Sequence, residues 1–229
     1  MTEVAVFDLD GTLVDTAPDL AASLNHCLAA AGMAAVPLDL VRPHAGHGAR
    51  VMLREAYRRD GRVLGEDEEA EQLARFLDHY ERHIAVHSRP FPGAADAMDR
   101  LAAEGFALAI CTNKHERLAV LLLSELGLGA RFAAICGADT FARRKPDPIH
   151  LTGTIERSGG VGARAIMIGD TITDISAARA AGIASVLVDF GYAPDPDARA
   201  GATVVIDDYA RLDAPFARLT MSSARRAGP

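Results

Sequence analysis

The run Val4-Ala5-Val6, followed by Phe7-Asp8-Leu9-Asp10-Gly11-Thr12-Leu13, constrains this chain more than any other stretch. Apolar, β-branched residues beginning almost at the first residue read as a strand buried on both faces, the kind found inside parallel sheets. Such a strand cannot hold bare carboxylates in its interior, because an ionised group in an apolar core is strongly disfavoured unless paired or metal-bound. Asp8 and Asp10 therefore belong at or just beyond its carboxyl end. In extended chain, residues two apart point the same way, so both carboxylates face one site. Gly11 lets the backbone approach a ligand closely, and Thr12 adds a hydroxyl and an N–H. In open parallel sheets that end is where ligands bind.

Downstream, Thr16 and Pro18 read as a helix start, and Leu20, Leu24 and Leu28 repeat at i+4 until Gly32. Helical patterns follow at 49–59 and 67–86, the second with Leu73, Phe76, Leu77, Tyr80 and Ile84 on one face. No strand is expected between Thr16 and His87, so a helical lid interrupts the chain straight after the first strand. Strands are then expected at 107–111, 132–136, 165–168, 185–188 and 203–206, with helical stretches at 93–104, 115–126, 148–158 and 174–181. Such βα alternation predicts an α/β fold, a doubly wound parallel sheet with helices on both faces. The division is a core of 1–15 and 89–219, a helical cap of 16–88 and a small, basic, disordered tail at 220–229.

Of 229 residues, 49% are hydrophobic, enough for one sizeable core plus a smaller companion. The net charge of −7 offers no basic surface for nucleic acid or an anionic membrane. Cys27, Cys111 and Cys136 are odd in number and lack CxxC spacing, which suits a reduced, cytoplasmic protein. No apolar stretch reaches membrane-spanning length, and no signal-peptide pattern opens the chain. The expected partner is a small molecule, and the chain is expected to be a monomer or a homodimer.

Other strands also end in reactive groups. Thr112-Asn113-Lys114 follows the strand at 107–111, Gly169-Asp170 ends the strand at 165–168, and Asp174 lies four residues on. Arg143-Arg144-Lys145-Pro146-Asp147-Pro148 places a cationic cluster before a helix. Singly, an Asp or Thr in such a place is often only a helix N-cap, and a Lys before Pro a solvated loop residue. Together they fall on one edge of one sheet. Two carboxylates 4 Å apart repel by about 4 kcal/mol at an effective dielectric near 20. Asp8, Asp10, Asp170 and Asp174 thus call for a cation or large pKa shifts. An all-oxygen site of this kind suits Mg²⁺, with Lys145 balancing a phosphate or the carboxylates.

Asp8-Leu9-Asp10-Gly11-Thr12, Thr112-Asn113, Lys145-Pro146 and Gly169-Asp170-Thr171…Asp174 resemble, in order and spacing, the four motifs of the haloacid dehalogenase superfamily. The resemblance implies a Rossmann-like core with an all-helical cap inserted between the first two motifs. It implies Asp8 as nucleophile, forming an aspartyl-phosphate, and Asp10 as the acid on the leaving oxygen and then the base on water. Thr112 and Lys145 would hold the phosphoryl group, with Gly11, Thr12 and Asn113 beside it. Mg²⁺ would be bound by the Asp8 carboxylate, the Asp10 carbonyl and Asp170, with Asp174 acting through water or by fixing Lys145. A carboxylate at Asp10 favours a phosphate ester or anhydride over carbon–halogen cleavage.

Substrate choice is expected in the cap, at Val41-Arg42-Pro43-His44-Ala45-Gly46-His47-Gly48-Ala49. Gly46 and Gly48 permit a tight turn around His47 that exposes N–H groups to an anion, and Arg42 is suited to clamp a carboxylate. The other reading is a surface loop leading into a capped helix. The segment, together with Phe190-Gly191-Tyr192, is similar to that of phosphoglycolate phosphatases, which act on a small carboxylate-bearing phosphate; His44 and His47 depart from their pattern. A Mg²⁺-dependent phosphomonoesterase acting on 2-phosphoglycolate is the leading expectation. Behind it stand a pyrophosphatase or sugar-phosphate phosphatase, then a phosphomutase, then a non-catalytic phospho-ligand sensor.

Overall fold

The computed structural model describes residues 2–226. Its centre is β1 (Thr2–Phe7), whose residues Val4 to Phe7 are all fully buried. The strand alternates as a two-faced strand must. Ala5 and Phe7 enter one apolar cluster, and Val4 and Val6 enter another on the opposite face.

After β1 come β2 (Val14–Asp15) and four helices: α1 (Ala17–Ala30), α2 (Leu38–Ala45), α3 (Ala49–Arg59) and α4 (Glu66–Arg82). The chain then returns through β3 (Arg89–Pro90), which pairs antiparallel with β2. Alternating units follow: α5 (Ala94–Ala103), β4 (Phe106–Cys111), α6 (Glu116–Glu125), β5 (Ala134–Cys136), α7 (Pro148–Arg157) and β6 (Gly160–Gly169). The remainder is α8 (Ile172–Ala180), β7 (Ala184–Val188), α9 (Pro196–Gly201), β8 (Val204–Ile206) and α10 (Ala214–Arg226).

The main sheet has the order β5-β4-β1-β6-β7-β8, and every pairing is parallel. Winding runs outward from β1 through β4 and β5, then restarts at β6 on its other side. The carboxyl end of β1 is therefore the switch point where such sheets bind ligands. Register makes this concrete: Phe7 lies beside Ile110 of β4 and Ile168 of β6, so the residues after all three emerge level.

The helical insertion is continuous with the core through its apolar face. Leu20, Leu24 and Leu28 of α1 and Phe76 and Tyr80 of α4 are buried in the same cluster as Phe7. Leu73 and Leu77 are only partly buried against it. A polar staple closes the insertion. Buried Asp19 accepts from the N–H groups of His87 (3.0 Å) and Ser88 (2.8 Å) and from the Ser88 hydroxyl (2.7 Å), where the chain re-enters the core.

Two expectations need correction. The stretch 41–45, given no helix in the sequence analysis, is helical within α2, with Pro43 inside it, while the turn expected around His47 is present at 46–47 before α3 begins at Ala49. Pro37 precedes the first turn, whose N–H groups need no intrahelical partner, and Val41 and Ala45 are buried one turn apart. The tail expected to be disordered from Thr220 continues α10 as far as Arg226, with Thr220 and Met221 buried; residues 227–229 lie outside the described residues. Small polar residues there mask an i, i+4 apolar pattern through Ala217 and Met221. Among the described residues, no helix is long and apolar enough to cross a membrane.

Replacing Asp19 by Ala strands the buried N–H and hydroxyl of Ser88 and the half-buried N–H of His87. We expect a loss of about 2–4 kcal/mol, read by urea unfolding.

Candidate active site

Three polar residues of the site, Asp8, Thr112 and Asp170, leave the sheet at the end of a strand. Asp8 follows β1 and its N–H donates to the Ile168 carbonyl at 2.8 Å, extending the ladder by one residue. Thr112 follows β4, and Asp170 follows β6. Lys145 enters from the loop before α7. These side chains share an environment nearly closed to water: Asp170 is 0% exposed, Asp174 1%, Lys145 2% and Asp8 9%.

Lys145 holds the centre. Its ammonium donates to Asp174 Oδ1 at 2.6 Å and Asp8 Oδ1 at 2.8 Å. Burial alone would depress its pKa, but the carboxylates of Asp174 and Asp8 outweigh burial and hold it above lysine's ordinary value. Asp174 is held on its other oxygen as well, by the Thr171 N–H and hydroxyl at 3.1 and 2.8 Å. Burial pushes the Asp8 carboxyl up to about 6 against the pull of Lys145. Asp170 is raised well above the ordinary carboxylate range by burial, then by repulsion from Asp174 and Asp8. Thr12 Oγ1 donates to Asp170 Oδ1 at 2.9 Å, and the Tyr192 N–H to Oδ2 at 2.7 Å.

Asp10 is held by a second lysine. Lys114 Nζ lies 2.8 and 2.9 Å from its two oxygens, and Thr16 donates to Oδ1 at 2.5 Å. The Lys114 ammonium also sits 4.9 Å from the ring centre of Tyr80, which comes from the insertion.

A cavity of about 300 Å³ opens over these groups. The core lines it with Asp8, Asp10, Thr112, Asn113, Lys114, Arg144, Lys145, Thr173 and Asp174, and the insertion with Gly46, His47 and Gly48. Four carboxyl groups share two buried ammonium partners here, with the Arg144 guanidinium only at the exposed rim, so buried acid groups outnumber buried cations. Oxygens of Asp8, Asp170 and Asp174 lie within 4.8 Å of one another. That imbalance and the all-oxygen donor set fit a hard divalent cation. The Asp10 carboxylate is turned to Lys114 rather than to this group.

The structure brings Asp8, Asp10, Thr112, Asn113, Lys145, Gly46, His47 and Asp174 to the cavity wall, with Asp170 directly beneath. It places three residues differently. Arg42 does not line the cavity: its Nη1 donates to Asp15 at 2.9 and 3.0 Å, and its guanidinium lies 5.7 Å from the centre of the Tyr192 ring. Gly11 and Thr12 serve the architecture beneath the cavity. Gly11 has φ +83°, and a Cβ there would fall 2.5 Å from Asp170 Oδ2 and 2.7 Å from the Tyr192 ring. Asn113 lines the wall but spends its amide on the Lys145 carbonyl at 3.0 Å.

Lys114, Thr16, Arg144 and Tyr192 lie in stretches the sequence singles out but are not among its candidate catalytic or binding residues. The adjacency of Lys114 to Thr112 and of Arg144 to Lys145 was the available signal. Thr16 reads in the sequence only as a helix start, and Tyr192 only as part of a segment similar to that of phosphoglycolate phosphatases; both reach the site by tertiary packing.

Residues 5–188 match the family model for haloacid dehalogenase-like hydrolases. The chain is 48% identical over 228 residues to a phosphoglycolate phosphatase of Agrobacterium fabrum, covering 99% of this chain and 98% of that one. It is 53% identical over 189 residues to a phosphoglycolate phosphatase of Mesorhizobium japonicum, covering 82% and 83%. Among solved structures, one described as a predicted phosphoglycolate phosphatase from Haemophilus somnus superposes with a TM-score of 0.84 at 30% identity, covering 91% of this chain and 95% of that chain.

His150 supplies a pH test of how the lysine loop is supported. Its buried Nδ1 accepts from the Lys145 N–H at 3.1 Å, and burial, then the Lys145 charge, pushes its pKa down to about 4. Between pH 6.5 and 4 the unfolded chain binds a proton at this residue and the native state does not, so stability falls as pH falls. The slope is at most about 1.4 kcal/mol per pH unit. Asp8, raised in the native state, acts oppositely between about 6 and 3.8. The difference between wild type and His150→Gln isolates the histidine: urea unfolding at pH 7, 6 and 5 should show a flatter acid decline in the variant.

Proposed function

The chain belongs to the haloacid dehalogenase-like hydrolase family and is a phosphatase within it, and on that premise we propose that it hydrolyses 2-phosphoglycolate through an aspartyl-phosphate on Asp8, with Mg²⁺ as cofactor. The observation that carries the reading is the buried Asp8–Lys145–Asp174 chain at the floor of a cavity that also holds Asp10 and Thr112. Asp8 and Asp170, with Asp174 beside them, would hold Mg²⁺, the Asp10 carbonyl joining them as the family resemblance implies; bound there, it neutralises charge on the phosphoryl oxygens.

Lys145 fixes Asp8 by Oδ1, leaving Oδ2 to attack phosphorus. As that bond forms, the bond to the leaving oxygen breaks, and Asp10, which enters this half in its acid form and regains that proton from water in the next, protonates the leaving oxygen. In the second half Asp10 takes a proton from water, whose oxygen attacks the acyl phosphate and frees Asp8 and inorganic phosphate. The Thr112 hydroxyl accepts from the Lys114 N–H at 3.2 Å, so its own proton remains for a phosphoryl oxygen. Lys114 and Thr16 orient Asp10 throughout.

The insertion, 16–88, acts as a cap on a core of 1–15 and 89–219. Its contribution to the cavity is the entry to α3, where Gly48 has φ +91° and the N–H groups of Ala49 and Arg50 precede the first intrahelical bond, made by Val51 to the Gly48 carbonyl. That helix end, with His47, is where the substrate carboxylate is recognised. Arg42 instead braces the cap root through Asp15. Three buried free cysteines suit the reducing cytoplasm.

The first experiment is phosphate release from 2-phosphoglycolate, with Mg²⁺ and with excess chelator, beside pyrophosphate, sugar phosphates and a simple alkyl phosphate. We expect Mg²⁺-dependent turnover, with kcat/KM for 2-phosphoglycolate at least about tenfold above the alkyl ester. Equal rates on all would discard the substrate and keep the chemistry. Asp8→Asn should lower turnover about a thousandfold or more while circular dichroism stays native; near-normal activity sinks the nucleophile. Arg42→Ala should leave kcat/KM within about threefold and cost no more than about 1 kcal/mol of stability, as a partly exposed pair would.

A further inference from the structure

The segment Phe190-Gly191-Tyr192, marked out in the sequence, serves Asp170 with its backbone and the root of the insertion with its hydroxyl. It follows β7 and lies against Asp170. A Cβ on Gly191 would fall 2.1 Å from the Asp170 Cβ, and one on Gly11 would fall 2.7 Å from the Tyr192 ring. Two glycines therefore let the loop close on Asp170 and the first motif close on the tyrosine. The Tyr192 N–H holds Asp170, and the buried side chain continues to the residues where the insertion begins.

There the phenol oxygen holds the two residues that flank Thr16. It donates its one proton to Asp15 Oδ1 at 2.8 Å and accepts from the Ala17 N–H at 2.7 Å. Asp15 is also paired with Arg42, so its carboxylate accepts from both. Ala17 opens α1, where an N–H has no acceptor within its own helix, and the residue is fully buried. Thr16, buried between them, spends its own proton on Asp10 Oδ1 at 2.5 Å. The Thr16 and Tyr192 oxygens, 3.4 Å apart, thus have no proton left to share. The tyrosine reaches Asp10 through the backbone instead. With residues 15 and 17 fixed on one oxygen and the Thr16 carbonyl accepting from the Leu20 N–H at 3.1 Å, Thr16 has little freedom and its hydroxyl stays aimed at Asp10.

We propose that Tyr192 is a positioning residue for Asp10, acting through Thr16; this rests on Asp10 being the acid and base of the hydrolysis proposed above. Asp10 has two holders of different kinds. Lys114 supplies charge at the end of a long, jointed side chain, while Thr16 supplies direction from a backbone that Tyr192 fixes. Proton transfer needs the carboxylate within hydrogen-bond reach of the leaving oxygen and then of water, and a displacement of about 1 Å is costly there. The phenol hydroxyl keeps that placement while the N–H of the same residue orients Asp170, so the two functions of Tyr192 are separable by substitution.

The test is a double-mutant cycle between Tyr192→Phe, which keeps the ring and the N–H to Asp170, and Thr16→Val, which removes the hydroxyl at nearly constant shape. Steady-state kinetics use whichever phosphate ester the wild type turns over fastest, with Mg²⁺ saturating. Each variant should lower kcat about tenfold with KM within about twofold, because Asp10 moves its proton only in the transition state. The double variant should fall no further than Thr16→Val alone, since the phenol acts through that residue. Mg²⁺ affinity of Tyr192→Phe, read by titration calorimetry, should stay within about threefold of the wild type, because the N–H that orients Asp170 is retained. Losses that multiply in the double variant, a kcat for Tyr192→Phe within about twofold of the wild type, or weakened Mg²⁺ binding each overturn the role. Asp10→Asn on the same ester separates the two readings. Near-normal turnover there removes the acid–base role itself, whereas a crippled Asp10→Asn beside an unimpaired Tyr192→Phe removes Tyr192 alone.

Discussion

The structure turns on one buried ammonium. Lys145 is 2% exposed and bonded to two carboxylates that are themselves nearly closed to water. Without it, Asp8 and Asp174 would repel each other across a few ångströms in a medium much less polarisable than water, and neither would stay charged. With it, Asp8 is held at the end of the central strand with a carboxyl pushed up by burial but still anchored. The loop that carries Lys145 is tied down in turn, by Asn113 at its carbonyl and by His150 at its N–H. Removing one partner of such a pair leaves a buried charge uncompensated, at a cost of about 3–5 kcal/mol. Activity and stability therefore draw on the same contacts.

Around that centre the remaining charges fall into two groups. Asp170 is surrounded by donors from the first motif and from Tyr192, and it stands fully buried beside Asp8 and Asp174 as the oxygen-rich floor of the site. Asp10 stands apart, held by Lys114 and Thr16. Two carboxylates two residues apart are thus given different partners, which is how a single strand end supplies two chemical roles. Lys114 also touches Tyr80 of the insertion, so the lysine that orients Asp10 belongs to the contact between core and helices.

Much of this was legible in the chain. Val4 to Phe7 could only be an interior strand, and Asp8 could only follow it. The parallel alternation from 93 onward came from strand-length apolar runs separated by helix starts and glycine stops, and all of those strands are present. The misreadings share a cause. Arg42, read as suited to clamp a carboxylate beside the Gly46–Gly48 turn, pairs with Asp15, a partner 27 residues away that the local pattern does not reveal. The helical stretch 41–45 was hidden by an internal proline, and the helical 220–226 by small polar residues. Local composition there argued for irregular chain, and burial of a few apolar residues against the rest of the fold overrode it. Gly11 and Thr12 were assigned to a ligand when their neighbours are Asp170 and Tyr192, 158 and more residues away.

The sequence by itself determined the kind of chemistry, because carboxylates at the end of a strand buried on both faces leave few physical options, and because three more polar strand ends repeat the pattern in order. It determined the sheet and the helical insertion for the same reason, since hydrophobic period and glycine placement are local properties. Only the tertiary structure decided which charge answers which. Lys145 rather than Arg144 is buried, Lys114 rather than Lys145 holds Asp10, and Arg42 is spent on Asp15. Those pairings depend on strand register and on the desolvation of each group, and both arise from contacts between residues far apart in the chain.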